Sequence, residues 1–257
     1  MAIFVTGDTH GSDGMRFRPE RFESYERELG RSLNKDDYMI IAGDFGVIWD
    51  TGHKDLIRYE DSILDYFDAL PWTTLFLDGN HENFPRLLAF PEEQRLGGTV
   101  DVLRPSLLHL KTSGHVYIID DNKIWCFGGG TSVDKNWRTP GVSWWAEEEP
   151  TDKEYMYGIQ QAAEYRWQVD YVVTHAAPRE AVDALKLPPL IKSFGENVFE
   201  KDRMPEYFQF ISQKLQREHW YFGHYHEDKL NFNVQTRSAL MVQHTYSAIQ
   251  HEIVCMC

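Results

Sequence analysis

The chain has little cysteine. Three in 257 residues cannot build a disulfide framework, so stability must rest on a packed core. Cys126 lies in an apolar run and is expected to pack as a small hydrophobe. The Cys255-x-Cys257 end reads as a frayed, solvated tail. Long apolar segments are missing as well. The apolar start, Met1 to Thr6, gives way to Asp8, short of a signal core or a membrane span, so a reducing cytoplasm and no membrane partner are expected. Positive charge is scarce: 26 Lys and Arg face 40 Asp and Glu, for a net charge of −14. That balance argues against extended nucleic-acid binding. No repeat, low-complexity tract or Pro/Gly/Ser linker divides the sequence, which implies a single domain over residues 1–257.

What is present is a hydrophobic fraction of 42%, enough for a sizeable core at this length. Short apolar runs rich in Ile, Val, Phe and Tyr read as strands at Ala2–Thr6, Tyr38–Ala42, Thr74–Leu77, Ile124–Phe127, Tyr171–Thr174 and Trp220–Phe222. Their near-continuous apolarity implies cover on both faces. Helical spacing marks Asp55–Leu70, Asp152–Gln168 and Pro205–Arg217, and more weakly Pro19–Leu33, which Gly30 interrupts. The segment Leu230–Val254 reads as further strands or a hairpin. Alternating strands and helices predict an α/β sheet protein. In such sheets functional residues gather at the carboxyl ends of strands.

Polar motifs sit at those ends. They are Gly7-Asp8-Thr9-His10-Gly11, Gly43-Asp44, Gly79-Asn80-His81-Glu82, Thr174-His175 and Gly223-His224-Tyr225-His226. Asp8 and His10 combine a carboxylate and an imidazole, which suit Mn, Fe, Co, Ni or Zn. Gly7 and Gly11 would let the backbone turn tightly beside a cation. Asp44 has two oxygens and can bridge two cations; the plainer alternative is a helix cap. Asn80 offers a neutral oxygen ligand, and His81 beside it can reach a substrate. Glu82 is expected to open a helix, where its charge suits the dipole. His224 and His226 are two residues apart, so the loop must curve if both are to face one site. Each motif alone is a modest signal. His53, His109, His115, His219, His244 and His251 show no ligand pattern and read as structural or exposed.

The ordered set resembles the calcineurin-like metallophosphoesterases, whose blocks run D-x-H, G-D, G-N-H-[ED], H and G-H-x-H. The resemblance spans Asp8 to His226. It implies a four-layer αββα sandwich of mixed sheets with a dinuclear metal site at one rim. By that resemblance Asp8, His10 and His226 hold one divalent ion, and Asn80, His175 and His224 hold the other. Asp44 bridges and His81 contacts substrate. Manganese, iron and zinc are the candidate metals. The protein serine/threonine phosphatases carry Asp-Arg-Gly after the second block; here Gly43-Asp44-Phe45-Gly46-Val47-Ile48-Trp49 has no arginine.

A phosphate clamp must therefore come from elsewhere. The stretch Gly128–Glu149 offers three glycines for close approach, Arg138 for a bidentate grip, and Trp144 and Trp145 to wall a pocket. A solvated surface loop is the competing reading. The expected chemistry is in-line hydrolysis by a hydroxide shared between two cations, with His81 protonating the leaving oxygen or stabilising the charged transition state. Phosphomonoesters, as phosphorylated small molecules or phosphoproteins, are the expected substrates. The rivals are a phosphodiesterase or nuclease on the same site and a catalytically silent metal-binding scaffold.

Overall fold

The apolar runs occupy the middles of two β-sheets, where strands are covered from both sides. The computed structural model describes all residues except 12–13, 112, 188–201, 236–242 and 257. The first sheet has seven strands in the order β13-β1-β2-β3-β6-β5-β4. These are β1 (Ile3–Thr6), β2 (Tyr38–Ile41), β3 (Thr73–Phe76), β4 (Glu92–Arg95), β5 (Gly98–Arg104), β6 (Leu107–Leu110) and β13 (Ile253–Cys255). The second has six, ordered β11-β12-β10-β9-β8-β7. They are β7 (Ser113–Ile119), β8 (Asn122–Phe127), β9 (Tyr171–Thr174), β10 (His219–Phe222), β11 (Lys229–Gln235) and β12 (Gln243–Ala248). Central pairs are parallel in both sheets and the outer ones antiparallel.

Three apolar layers hold the assembly together. Between the sheets lie Val5, Ile40, Leu75 and Leu108 from one side and Tyr117, Ile124, Cys126, Val173 and Tyr221 from the other. The outer face of the first sheet packs Phe4, Met39 and Phe76 against Phe22, Leu64, Phe67 and Trp72. That layer lies under α1 (Glu23–Leu29) and α2 (Lys54–Ala69). On the second sheet, Trp125, Val172 and Trp220 meet Tyr155, Ala162, Ala181, Phe208 and Ile211. Those partners belong to α4 (Asp152–Glu164), α5 (Arg179–Leu185) and α6 (Met204–Lys214). The result is the expected four-layer αββα arrangement.

Several expectations change. Cys255 is not in a frayed tail, because Phe4 pairs with it in the β1–β13 ladder; Cys257 lies outside the described residues. Helix α4 stops at Glu164, not Gln168, since Arg166 and Trp167 take left-handed φ values of 55° and 58°. Gly30 caps α1 at φ 65°, which confines that helix to Glu23–Leu29. Strands β4 to β7 had no continuous apolar signal, apart from the short β6: β4 is largely exposed, while β5 and β7 mix buried and exposed positions.

Register sets the level of the site. Thr6 pairs with Ile41, and Ile41 with Phe76. Phe127 pairs with Thr174, and Thr174 with Phe222. Each motif therefore leaves its sheet at the same height.

Candidate metal centre

The residues following those strand ends meet across the gap between the sheets. The imidazole of His175, from β9, donates through Nδ1 to the carbonyl oxygen of Ala42 after β2, at 2.9 Å. That bond leaves Nε2 facing Asn80 Oδ1 at 3.2 Å and Asp44 Oδ1 at 3.3 Å. A histidine held this way presents one fixed donor atom. The backbone N–H of His224 donates to Asp8 Oδ1 at 3.0 Å, and that of His81 to Asp44 Oδ1 at 2.8 Å. Both carboxylates are thus oriented by main chain from another motif.

A second convergence lies toward solvent. Nε2 of His10 and of His226 are 3.3 Å apart, and lie 3.9 and 3.5 Å from Asp8 Oδ2. Asp44 is between the two groups, with Oδ2 4.0 Å from His10 and Oδ1 near His175. Three sets place their candidate ligand atoms within 4.8 Å of one another: Asp8, His10 and His226; His10, Asp44 and His81; Asp8, Asp44 and His175. His224 packs its ring edge-on to that of His175 with centroids 4.8 Å apart. Asp8, His10, Asp44, Asn80, His81, His175, His224 and His226 therefore lie together at one rim.

Backbone geometry explains how short loops achieve this. His10, Asp44, His224 and His226 have φ of 46°, 48°, 68° and 53°, in the left-handed region that non-glycine residues seldom adopt. The double turn at His224 and His226 supplies the curve their spacing requires. Glycines supply room. A Cβ on Gly79 would lie 2.1 Å from Asp44 Oδ1, and one on Gly223 would lie 2.2 Å from Asp8 Oδ1. Gly7 differs from expectation: it does not turn with positive φ but lets Ile249 approach closely.

The electrostatics are those of a site with buried like charges. Burial raises the Asp8 carboxyl, and neighbouring Asp44 adds to the rise. Burial opposes ionisation of Asp44 too, but His175 outweighs it and holds that carboxyl below its usual range. Burial would lower His175; Asp44 and Asp8 instead raise it to about 9. His224 is pushed down to about 3, first by burial and then by His175. Burial also lowers His10 and His81. Two buried carboxylates among imidazoles that converge on common points are a donor set for divalent cations.

The Gly128–Glu149 stretch belongs to the site. Gly130 sits where an added Cβ would be 2.9 Å from His175 and 3.0 Å from Asn80 Oδ1. The triple glycine thus lets backbone approach the candidate ligands. Arg138 donates through Nη2 to His81 Nε2 at 2.9 Å, while Nε is 2.7 Å from Asp134 Oδ1. Arginine has no acceptor, so in this arrangement His81 Nε2 carries the lone pair. Lys135 lies over Trp144, and Trp145 packs edge-on to Trp49.

Sequence reading missed three supports. Asn80 Nδ2 donates to Ser132 Oγ at 3.2 Å, and Ser132 donates to buried Glu148 through N and Oγ at 2.9 and 2.8 Å. This chain turns the Asn80 oxygen toward His175. Burial raises Glu148 to about 7 even though Ser132 bonds it. The third is the Ala42 carbonyl. No residue-type pattern in sequence marks any of them, since they act through tertiary contact. Glu82 also differs from expectation. It is fully buried, accepts from Gly46 N, and is raised by burial; Asn83 caps the short helix α3 (Phe84–Leu87) instead. His109 binds Asp101 and Asp78, His219 binds Ser247, and His244 contacts Glu180, all as structural partners.

The calcineurin-like phosphoesterase family model matches residues 1–228. A search of curated proteins gives no match. Among the described residues no helix is long and apolar enough to cross a membrane.

Proposed function

Since the chain belongs to the calcineurin-like phosphoesterase family, a group of metal-dependent hydrolases, we propose that it hydrolyses phosphomonoesters at a two-cation centre. Asp8, His10 and His226 would hold one ion, Asn80, His175 and His224 the other, with Asp44 between them. The observation that carries this reading is the convergence of these donors at one rim, with Asp44 within reach of His10 and His175 alike. When bound, manganese, iron or zinc supplies Lewis acidity and makes a coordinated water acidic near neutral pH.

The chain's own groups do the rest. His81 stands beside the centre with Nε2 accepting from Arg138; it would stabilise the charged transition state, or protonate the departing alkoxide oxygen once Arg138 turns to the phosphate. Arg138 adds a permanent positive charge next to it. A dianionic monoester gains more from that added charge than a monoanionic diester does, which supports the monoester reading. The acidic net charge of −14 disfavours long polyanions as substrates.

The test is an assay of the manganese-loaded protein on a monoester, a diester, a nucleotide and a phosphopeptide. The monoester is expected to give the highest kcat/KM. A diester preference would replace monoesterase by diesterase. Two bound ions with no turnover on any of them would leave a silent scaffold.

A further inference from the structure

A cavity of about 430 Å³ adjoins the metal centre, and His10 and His81 line it. Its other walls come from the loop after β2 and the first turns of α2. They include Val47, Trp49, Leu56, Tyr59 and Ile63. Trp49 lies nearly parallel to His81 with ring centroids 5.9 Å apart, and Trp145 braces it from the side at 5.4 Å. Leu56 and Tyr59 are 52% and 62% exposed, an unusual waste of apolar surface on a helix that buries Leu64 and Phe67.

Two carboxylates complete the wall, Asp50 and Glu60, and no lysine or arginine lines it. Both are already engaged. Asp50 Oδ1 accepts from Gly52 N at 2.7 Å and His53 N at 2.5 Å. Glu60 accepts from Trp49 N, Asp50 N and Arg86 at 2.9, 2.6 and 2.6 Å. Their hydrogen bonds shape the loop; Arg86 pairs with Glu60, so the negative charge that faces a ligand is mainly that of Asp50. The cavity therefore repels anionic groups and rewards apolar, ring-shaped ones.

We propose that this cavity is the leaving-group subsite of the enzyme and that it takes an uncharged, ring-bearing alcohol. The proposal rests on the phosphomonoester reading. It follows from continuity: His81, which faces the leaving oxygen in that reading, is a wall of the cavity, so the group attached to that oxygen extends between Trp49 and Tyr59. The volume accommodates one or two rings. A substrate whose alcohol carries a second phosphate or a carboxylate is discriminated against by Asp50.

The experiment compares 2-phenylethyl phosphate, ethyl phosphate and 2-(4-carboxyphenyl)ethyl phosphate on the manganese-loaded full chain. The alcohols differ little in acidity, so chemistry at phosphorus is matched. The phenyl ester should exceed the ethyl ester in kcat/KM by about 10-fold or more, the scale of a hydrophobic pocket contact. The carboxylated ester should lose that advantage. In a Leu56→Asp, Tyr59→Ser variant, altered only at exposed positions, the phenyl-to-ethyl ratio should fall toward one. A wild-type ratio near one overturns the subsite. Binding of 2-phenylethanol, followed by ligand-observed NMR, separates this outcome from failure of the esterase reading. If no ester is hydrolysed, the esterase reading fails. Weaker phenylethanol binding by the variant then still supports the cavity's preference, and equal binding by both proteins overturns it.

Discussion

The two halves of the candidate metal centre differ in how they are held. On one side His175 and Asp44 are enclosed, with side chains 0% and 2% exposed. Asn80 is buried with them and tethered through Ser132 to Glu148. On the other side His10 and His226 are 33% and 58% exposed, and only Asp8 is buried. The enclosed donors are fixed by second partners: the Ala42 carbonyl for His175 and the Ser132 hydroxyl for Asn80. The open imidazoles have each other and the carboxylates as neighbours. The contrast assigns retention to one half and access to the other. The cavity adjoins the open half through His10.

The largest expected effect breaks both halves together. Asp44→Asn removes the carboxylate between them, so both ions should be lost and turnover should fall by about 10⁴-fold or more, since both Lewis-acid charge and water activation depend on the pair. Elemental analysis of the purified variant checks this. Two full equivalents with normal kinetics would remove Asp44 from the bridging role.

Next comes His81→Ala, which tests where metal binding ends and proton transfer begins. Because His10, Asp44 and His81 also converge, His81 could join the open half as a ligand. As a proton donor it should leave both ions bound, and its loss should lower kcat on a poor leaving group by roughly 10²–10⁴-fold. On a nitrophenyl ester, whose oxygen departs without help, the drop should be smaller. Equal losses on both would assign it to charge stabilisation, and loss of an ion would make it a ligand.

Ser132→Ala sharpens the contrast selectively. It frees the Asn80 amide without touching a donor atom. Metal affinity in the enclosed half should fall by about 10–100-fold, the usual scale for an outer partner. The first ion released on chelator titration should be unaffected. Ser132→Thr, which keeps the hydroxyl, should restore affinity. A uniform loss from both halves would mean that Ser132 serves the loop in general.

The effect that spares the ions altogether is expected from Arg138→Ala. It reaches the enclosed half only through the Asn80 main-chain carbonyl, at 3.4 Å, and not through a candidate donor atom, so both ions should stay. A guanidinium hydrogen bond to a phosphate oxygen is worth roughly 1.5–3 kcal/mol, so kcat/KM on a monoester should fall by about 10–150-fold. Unchanged kinetics would leave Arg138 as a support for His81 and Asp134.

How much of this was written in the chain follows from what each residue depends on. The strands β1, β2, β3, β8, β9 and β10 are legible because both faces are covered, which demands unbroken apolar runs. Their motifs are legible because the family's site chemistry restricts residue types so tightly: the candidate residues Asp8, His10, Asp44, Asn80, His81, His175, His224 and His226 all converge in space. Strands β4, β5 and β7 escape notice because part of each is solvated, and solvated strand positions tolerate polar residues such as Glu92, Glu93 and Gln94. Sequence cannot say that Ala42 offers its carbonyl to His175, or that Glu148 steadies Asn80 from 68 positions away through Ser132. Any residue has a carbonyl, and serine and glutamate are common on surfaces. Nor can it say that His10 and His226 are open while His175 is sealed, because exposure is a property of what packs over a side chain. The sequence by itself determined the candidate ligand types and the strands that carry them. Tertiary packing alone decided the orientation of each donor, the asymmetry of the two halves and the cavity beside His81.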